Sequence, residues 1–220
     1  MDNTIQIQKP ISFKTYHIFL LILICFWMNI WILQSFVMTR EVYHNLLSER
    51  LDAFRIDDYF TLIQKQSAWS YIAAPLFLWI QIAFVTLLLQ FPLVIKFIDI
   101  PFKKVFRIAT YAQIPLFASS FIKTLWLLQL KSHQITEEIL TFVPFAITNF
   151  LDPELYTKSS LGILSKINIF EIIWCIILIK GLTVTGKLRK RDALLIVLVT
   201  WTLILVFQWA LTTYLTEINS

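Results

Sequence analysis

Lys187-Leu-Arg-Lys-Arg191-Asp-Ala193-Leu-Leu-Ile-Val-Leu-Val-Thr200-Trp-Thr-Leu-Ile-Leu-Val-Phe-Gln-Trp-Ala210-Leu-Thr-Thr213 opens with four basic residues in five positions and then carries no charge over residues 193–213. About 20 mainly apolar residues suffice for a helix to cross the hydrocarbon core of a bilayer. This stretch therefore reads as a membrane span with a basic anchor at one end, and four more apolar runs read the same way. They cover about 18–38, 71–91, 108–130 and 167–184. The expected fold is an all-α transmembrane bundle of five spans, forming a single membrane domain over residues 1–220.

Composition agrees. Of the 220 residues 58% are hydrophobic and only 15% charged, with a mean hydropathy of +0.71, where a soluble domain runs nearer a quarter charged. That excludes a disordered chain, which needs the opposite balance. Three glycines are too few for glycine-rich phosphate loops. They also form no GxxxG seam, so close helix contacts are expected at small residues such as Ala118, Ser119 and Ser120. Cys25 and Cys175 lie in apolar runs and read as small buried hydrophobes, not as a disulfide framework.

The formal charge of +5 becomes informative once divided by loop. The N-terminal segment (Lys9, Lys14), loop 92–107 (Lys96, Lys103, Lys104, Arg107) and loop 185–192 (Lys187, Arg189, Lys190, Arg191) place ten basic residues in about 40 positions. The alternating loops hold seven in about 75: Arg40, Arg50, Arg55, Lys65, Lys131, Lys158 and Lys166. Dense basic loops face the cytoplasm, which predicts a cytoplasmic N-terminus and an outer C-terminus. The charge is then a topology signal and not a nucleic-acid footprint. After the first span, Leu33-Gln-Ser-Phe-Val-Met38 offers no small-residue cleavage site, so a retained signal anchor is expected.

Between the spans, Val42, Leu46, Leu47, Leu51 and Phe54 recur at helical spacing, predicting an extracytoplasmic amphipathic helix over 41–64. The apolar stretch within 137–151 is too short to cross and is interrupted by Pro144, which predicts an interfacial or re-entrant segment. Trp69 and Trp209 are expected at membrane edges, and Trp79, Trp174 and Trp201 in packing.

Three ionisable residues fall inside spans: Glu171, Lys123 and Lys180. Such residues are expensive in hydrocarbon and are functional candidates by default. Lys180 sits close enough to a cytoplasmic end to snorkel. Glu171 and Lys123 lie at similar depth on oppositely directed helices, which raises an ion pair and, with it, a small transporter or channel as the competing function. A relay normally has more than one buried carboxylate, and the spans hold only Glu171.

Catalytic chemistry has little to stand on. His17, His44 and His133 are scattered, and no HExxH, GxSxG or paired-carboxylate motif occurs. Glu49, Asp52, Asp57 and Asp58 fit no calcium loop. Gly181-Leu-Thr-Val-Thr-Gly186-Lys187 matches seven positions of a phosphate loop, but Leu188 stands where Ser or Thr would hold magnesium, and the segment ends a span instead of following a strand. The expectation is no catalytic residue, metal or cofactor. The basic turn Lys187, Arg189, Lys190 and Arg191 reads first as a topology determinant, with anionic lipid at the cytoplasmic face as its functional alternative.

Two segments resemble the Yip1-domain family of five-span integral membrane proteins. Phe102-Lys-Lys-Val-Phe-Arg-Ile-Ala-Thr-Tyr111-Ala-Gln-Ile-Pro115 is similar to the family's basic lead-in followed by Tyr and Pro. Leu164-Ser-Lys-Ile-Asn168-Ile-Phe170-Glu-Ile-Ile-Trp174, continuing through Gly181 to Gly186-Lys187, is similar to its Asn-x-Phe helix start, later glycine and basic turn. The likeness covers about residues 70–213 and is to compact bacterial members. It implies five spans, a cytoplasmic N-terminus and a bacterial inner membrane. The function expected is a non-enzymatic subunit or adaptor that packs against other integral membrane proteins or a second copy of itself. The long first outer loop departs from the family's tight hairpins and puts a partner surface outside.

Overall fold

A computed structural model describes residues 15–152 and 155–218, the side chains of 158–159 and 215–218 excepted. Lys9 and Lys14, counted above for orientation, lie outside the described residues, as does the side chain of Lys158. Eight α-helices occur among the described residues: α1 (Thr15–Ile32), α2 (Arg40–Leu47), α3 (Ala53–Ile95), α4 (Phe102–Leu127), α5 (Glu137–Thr141), α6 (Lys158–Leu164), α7 (Ile169–Val184) and α8 (Lys190–Ile218). A π-helical turn, Leu33–Val37, extends α1. There is no strand among the described residues, only an isolated bridge between Ala146 and Asn168.

Four of these elements, Thr15–Val37, Ala53–Ile95, Phe102–Leu127 and Lys190–Tyr214, are long and apolar enough to cross a membrane. Their most apolar windows are only 22, 33, 33 and 17% buried. A water-soluble bundle would hide such surface; here most of it faces outward, as lipid requires.

What is buried forms one narrow stripe per helix. In α3 it is Ala74, Leu78, Ile82, Val85, Leu89 and Leu93, and in α7 it is Phe170, Trp174, Leu178 and Leu182. Spacings of three and four residues set these on one face. With Val105, Ala109 and Ala112 of α4 and Ala193, Ile196 and Val197 of α8, most of them form a single core. Two hydroxyls inside it bond back to their own helices: Thr86 Oγ1 donates to the Ile82 carbonyl (2.7 Å) and Thr110 Oγ1 to that of Phe106 (2.8 Å), which satisfies both donors in an apolar setting.

α7 runs along α4 and α8, its late residue Gly181 lying against the early α4 residue Ile108. Two helices in long contact that meet end to beginning are antiparallel. A Cβ at Gly181 would collide with the Ile108 side chain, so glycine permits the close approach. The small residues that line the inside are Ala109 and Ala112, both fully buried. Ala118, Ser119 and Ser120, expected in that role, are only partly buried or exposed.

The connection between α1 and α3 differs from its expectation. One helix over 41–64, separate from the next span, is replaced by α2, a turn at 48–52, and a 43-residue α3 that runs unbroken into the membrane. Asp52 takes extended geometry before α3, which suits its preference for helix starts over interiors. No Gly or Pro stands between Gln64 and Tyr71, and Gln and Lys are good helix formers. At 1.5 Å per residue α3 is about 64 Å long, about twice the hydrocarbon thickness, so its first half projects. Trp79 also departs from expectation: it is 53% exposed, whereas Trp174 is buried as foreseen. Segment 137–151 is α5, a turn with Phe145 at φ 57°, and a 3₁₀ turn at Ile147–Phe150.

Two prolines lie inside α3. Pro75 has no N–H for the carbonyl of residue 71, four positions back. The indole of Trp27 in α1 supplies the missing donor, its Nε1 reaching the Tyr71 carbonyl at 3.0 Å. The Tyr71 hydroxyl in turn donates to Gln34 Oε1 at 3.3 Å, in the π-helical turn.

Candidate functional site

The polar groups of the bundle fall at three levels. At one end of the bundle stand the two residues expected to pair. Lys123 donates its amine to the Leu140 carbonyl oxygen beyond α5's first turn. Glu171, in the first turn of α7, faces Lys166 and Trp201. No ion pair joins Lys123 to Glu171 among the described residues. Their depth along the helices is similar, as read from sequence, but their rotation is not: α4 turns Lys123 toward the α5 segment, while α7 turns Glu171 toward α8. Trp201 Nε1 finds no acceptor in hydrogen-bonding geometry although it is buried, so the Glu171 carboxylate is a neighbour and not a bonded partner.

Glu171 is placed by its helix start. Asn168 Oδ1 accepts from the backbone N–H of Phe170 (3.0 Å) and of Glu171 (2.9 Å), while Asn168 Nδ2 donates to the Ser165 carbonyl (2.9 Å). This is an N-cap of the expected residue type, and the acid behind it complements the helix dipole. Phe170 packs its ring on Phe145, centroids 6.1 Å apart. Nearby, an open cleft of about 180 Å³ between α6 and the end of α8 is lined by Gly162, Ile163, Lys166, Gln208 and Trp209.

The middle level joins spans by neutral hydrogen bonds. Asn29 Nδ2 of α1 donates to Ser120 Oγ of α4 (2.9 Å), and Gln81 Nε2 of α3 donates to Gln113 Oε1 of α4 (3.2 Å). Asn29 and Gln113 are buried. Attention to ionisable groups passed over these residues, although an amide within an apolar run is itself a visible signal. Between spans such contacts act as glue of modest strength.

The opposite end collects loop 96–101 and the 185–192 turn. Lys96 pairs with Asp192 (3.2 Å), and Lys187 reaches both the Asp99 carbonyl oxygen and its carboxylate (3.6 Å). Gln90 Nε2 donates to the Ile100 carbonyl at 3.0 Å. Gly186 ends α7 at φ 75°, a backbone conformation that glycine adopts without strain, and the segment from Gly181 follows helix and no strand. Arg107 lies over the Tyr111 ring, 5.8 Å from its centroid. Pro115 is buried within α4. Lys180 is exposed near the C-terminal end of α7. Among the described residues no three His, Cys, Asp or Glu side chains gather as a metal site would need.

Near the start of α3, Asp57 holds α2. Arg40 donates to it through two nitrogens, and His44 Nε2 stands 2.9 Å from Asp57 Oδ1. These hydrogen bonds, Arg40's first, hold the Asp57 carboxyl down at about 2. Burial pushes the neighbouring Tyr43 hydroxyl above its ordinary value.

The spans and outward apolar faces define a membrane-embedded, multi-pass helical protein. Neither a family model, nor a curated protein, nor a solved structure matches the chain.

Proposed function

We propose that the chain is a non-enzymatic membrane subunit or adaptor that packs against partner integral membrane proteins, in the manner of the Yip1-domain proteins it resembles. The observation that carries the reading is the projecting half of α3. Phe54, Tyr59 and Leu62 are exposed there, Phe54 to 77%, on a helix long enough to hold them beyond the reach of lipid. Apolar side chains displayed to water on a braced helix suit a protein partner. The clasp of Arg40 and His44 on Asp57 supplies the brace.

Five crossings complete the proposal, with the N-terminus in the cytoplasm of a bacterium and the C-terminus outside. α7 is the fifth. Its 16 residues make about 24 Å of helix, and its two ends meet the inner loop and the outer Ala146 segment. The quoted resemblance motifs support the same arrangement: Tyr111 and Pro115 lie on α4, Phe170 and Gly181 on the α7 that packs beside it, with Asn168 at its N-cap and Gly186 at its exit.

The competing reading, a transporter or channel organised on Glu171 and Lys123, has less support. Both residues are engaged separately, and the mid-level amides bond to neighbouring spans. Purification of the full chain in mild detergent, followed by mass spectrometry, tests the proposal. A stable membrane partner that is lost on Phe54→Ser with Leu62→Ser is the expected result. Recovery of the chain alone, together with solute flux in liposomes, overturns it.

A further inference from the structure

The inner end of the bundle holds an unusual helix terminus. After α3 the Ile98 N–H bonds to the Leu93 carbonyl (2.9 Å) and the Phe97 N–H to that of Val94 (3.0 Å). This is a Schellman cap, whose left-handed residue is most often glycine. Here it is Phe97, at φ 54°, in a conformation that bulky side chains rarely adopt. The ring gains nothing from the fold in return, being 97% exposed. Phe145, the other non-glycine residue at positive φ among the described residues, packs on Phe170; Phe97 has no such neighbour.

Charge surrounds this ring. Lys96 and Lys187 are occupied by Asp192 and Asp99, and these two cross-links tie the loops together. Beneath them Ile100, Val105 and Leu188 belong to the one buried core, so the first turns of α4 and α8 lie at the same end. Lys103, Lys104, Arg189, Lys190 and Arg191 are exposed there and have no acidic partner among the described residues. The first turn of α4 carries two lysines and no acid, although a helix N-terminus favours the opposite charge. Both the ring and the lysines thus stand where helix stability alone would not put them.

We propose that this collar is a binding site for anionic phospholipid, with Lys103, Lys104 and the 189–191 turn taking the phosphate headgroup and Phe97 entering the acyl boundary beside it. From the topology above the inference takes only that the two loops share one face. Lipid retention is read on the isolated chain, so absence of a protein partner would sink the subunit reading and leave this one standing.

The full chain in mild detergent is offered phosphatidylglycerol or phosphatidylcholine in mixed micelles, and retained lipid is counted by native mass spectrometry. Phosphatidylglycerol should be retained at least tenfold better. Lys103→Gln with Lys104→Gln should lower that preference by about fivefold per charge removed. Phe97→Gly should reduce retention of both lipids while leaving the melting temperature unchanged or higher, which a purely structural role would not do. Arg55→Gln with Lys65→Gln, the same charge change on the projecting half of α3, should change neither. Equal retention of the two lipids overturns the site. So does equal loss with the Arg55 and Lys65 variant, displacement by millimolar inorganic phosphate, or Phe97→Gly that lowers stability with retention intact. Loss of a co-purifying acidic protein from the Lys103 and Lys104 variant, with lipid preference unchanged, assigns the collar to a protein and also overturns it.

Discussion

The α4–α7 seam and the α2–α3 arm are both pairs of helices, yet different forces hold them. In the seam Val105, Ala109 and Ala112 meet Trp174, Leu178 and Leu182, and Gly181 admits Ile108. Lipid is as apolar as these side chains, so burial from water contributes little and close fit decides. The arm stands in water and is joined by charge, Arg40 and His44 on Asp57, over few buried side chains such as Val42 and Ile56. Exposed ion pairs contribute little on average. The seam should therefore be rigid and intolerant of change in shape, and the arm adjustable and tolerant of change in side-chain volume.

Leu178→Ala should break the seam most severely. Leu178 is fully buried, and a deletion of this kind costs about 2–5 kcal/mol when the cavity cannot collapse; unfolding in mixed micelles measures it. In the arm, Leu62→Ala at a half-exposed position should stay within about 0.5 kcal/mol. If both variants lose equally, fit and exposure do not distinguish the regions. Gly181→Ala comes next, at about 1–3 kcal/mol from overpacking. Ile108→Ala, which removes both γ carbons that a Cβ at position 181 would strike, should recover part of that loss in the double variant, and a strictly additive result would deny the contact. Asn168→Ala removes the cap of α7 and should cost about 1 kcal/mol, with Asn168→Asp retaining most of the stability.

Asp57→Asn should have the smallest effect on unfolding and the clearest on geometry. Spin labels placed on α2 and α3 should report a broader distance distribution with the rest of the bundle unchanged. Acid should do the same. The Asp57 carboxyl titrates at about 2 in the folded chain, below its ordinary value, so the clasp favours the folded state above the ordinary carboxylate range. That contribution is lost as pH falls from about 4 toward 2. A distribution that stays narrow at pH 2 would show that α2 is held by its apolar contacts instead.

Much of the seam was legible before any coordinates. The apolar runs announced the spans, and a helix start at Asn168 was expected through the family resemblance, although Asn is also one of the few residue types that can satisfy a helix's first N–H groups. Gly181 was legible as a glycine but not as a contact, since its partner Ile108 is 73 positions away in a chain that gives no register between helices. The continuity of α3 was missed because Gln64, Lys65 and Gln66 are polar, and polarity marks exposure without marking a break. For Glu171 and Lys123, depth followed from counting residues along each span. Whether they meet depends on the rotation of two helices about their own axes, which is set by packing on neighbours.

The bond from Trp27 to the Tyr71 carbonyl also has a bearing on how the chain is made. Pro75 leaves α3 with an acceptor that α3 itself cannot satisfy. The donor lies on a helix that leaves the ribosome before α3 does. By the time Tyr71 and Pro75 reach the membrane, α1 is already there with its indole in place. The order of the sequence thus presents the solution before the problem, and α3 inherits from α1 a stability that it would lack if it were inserted alone.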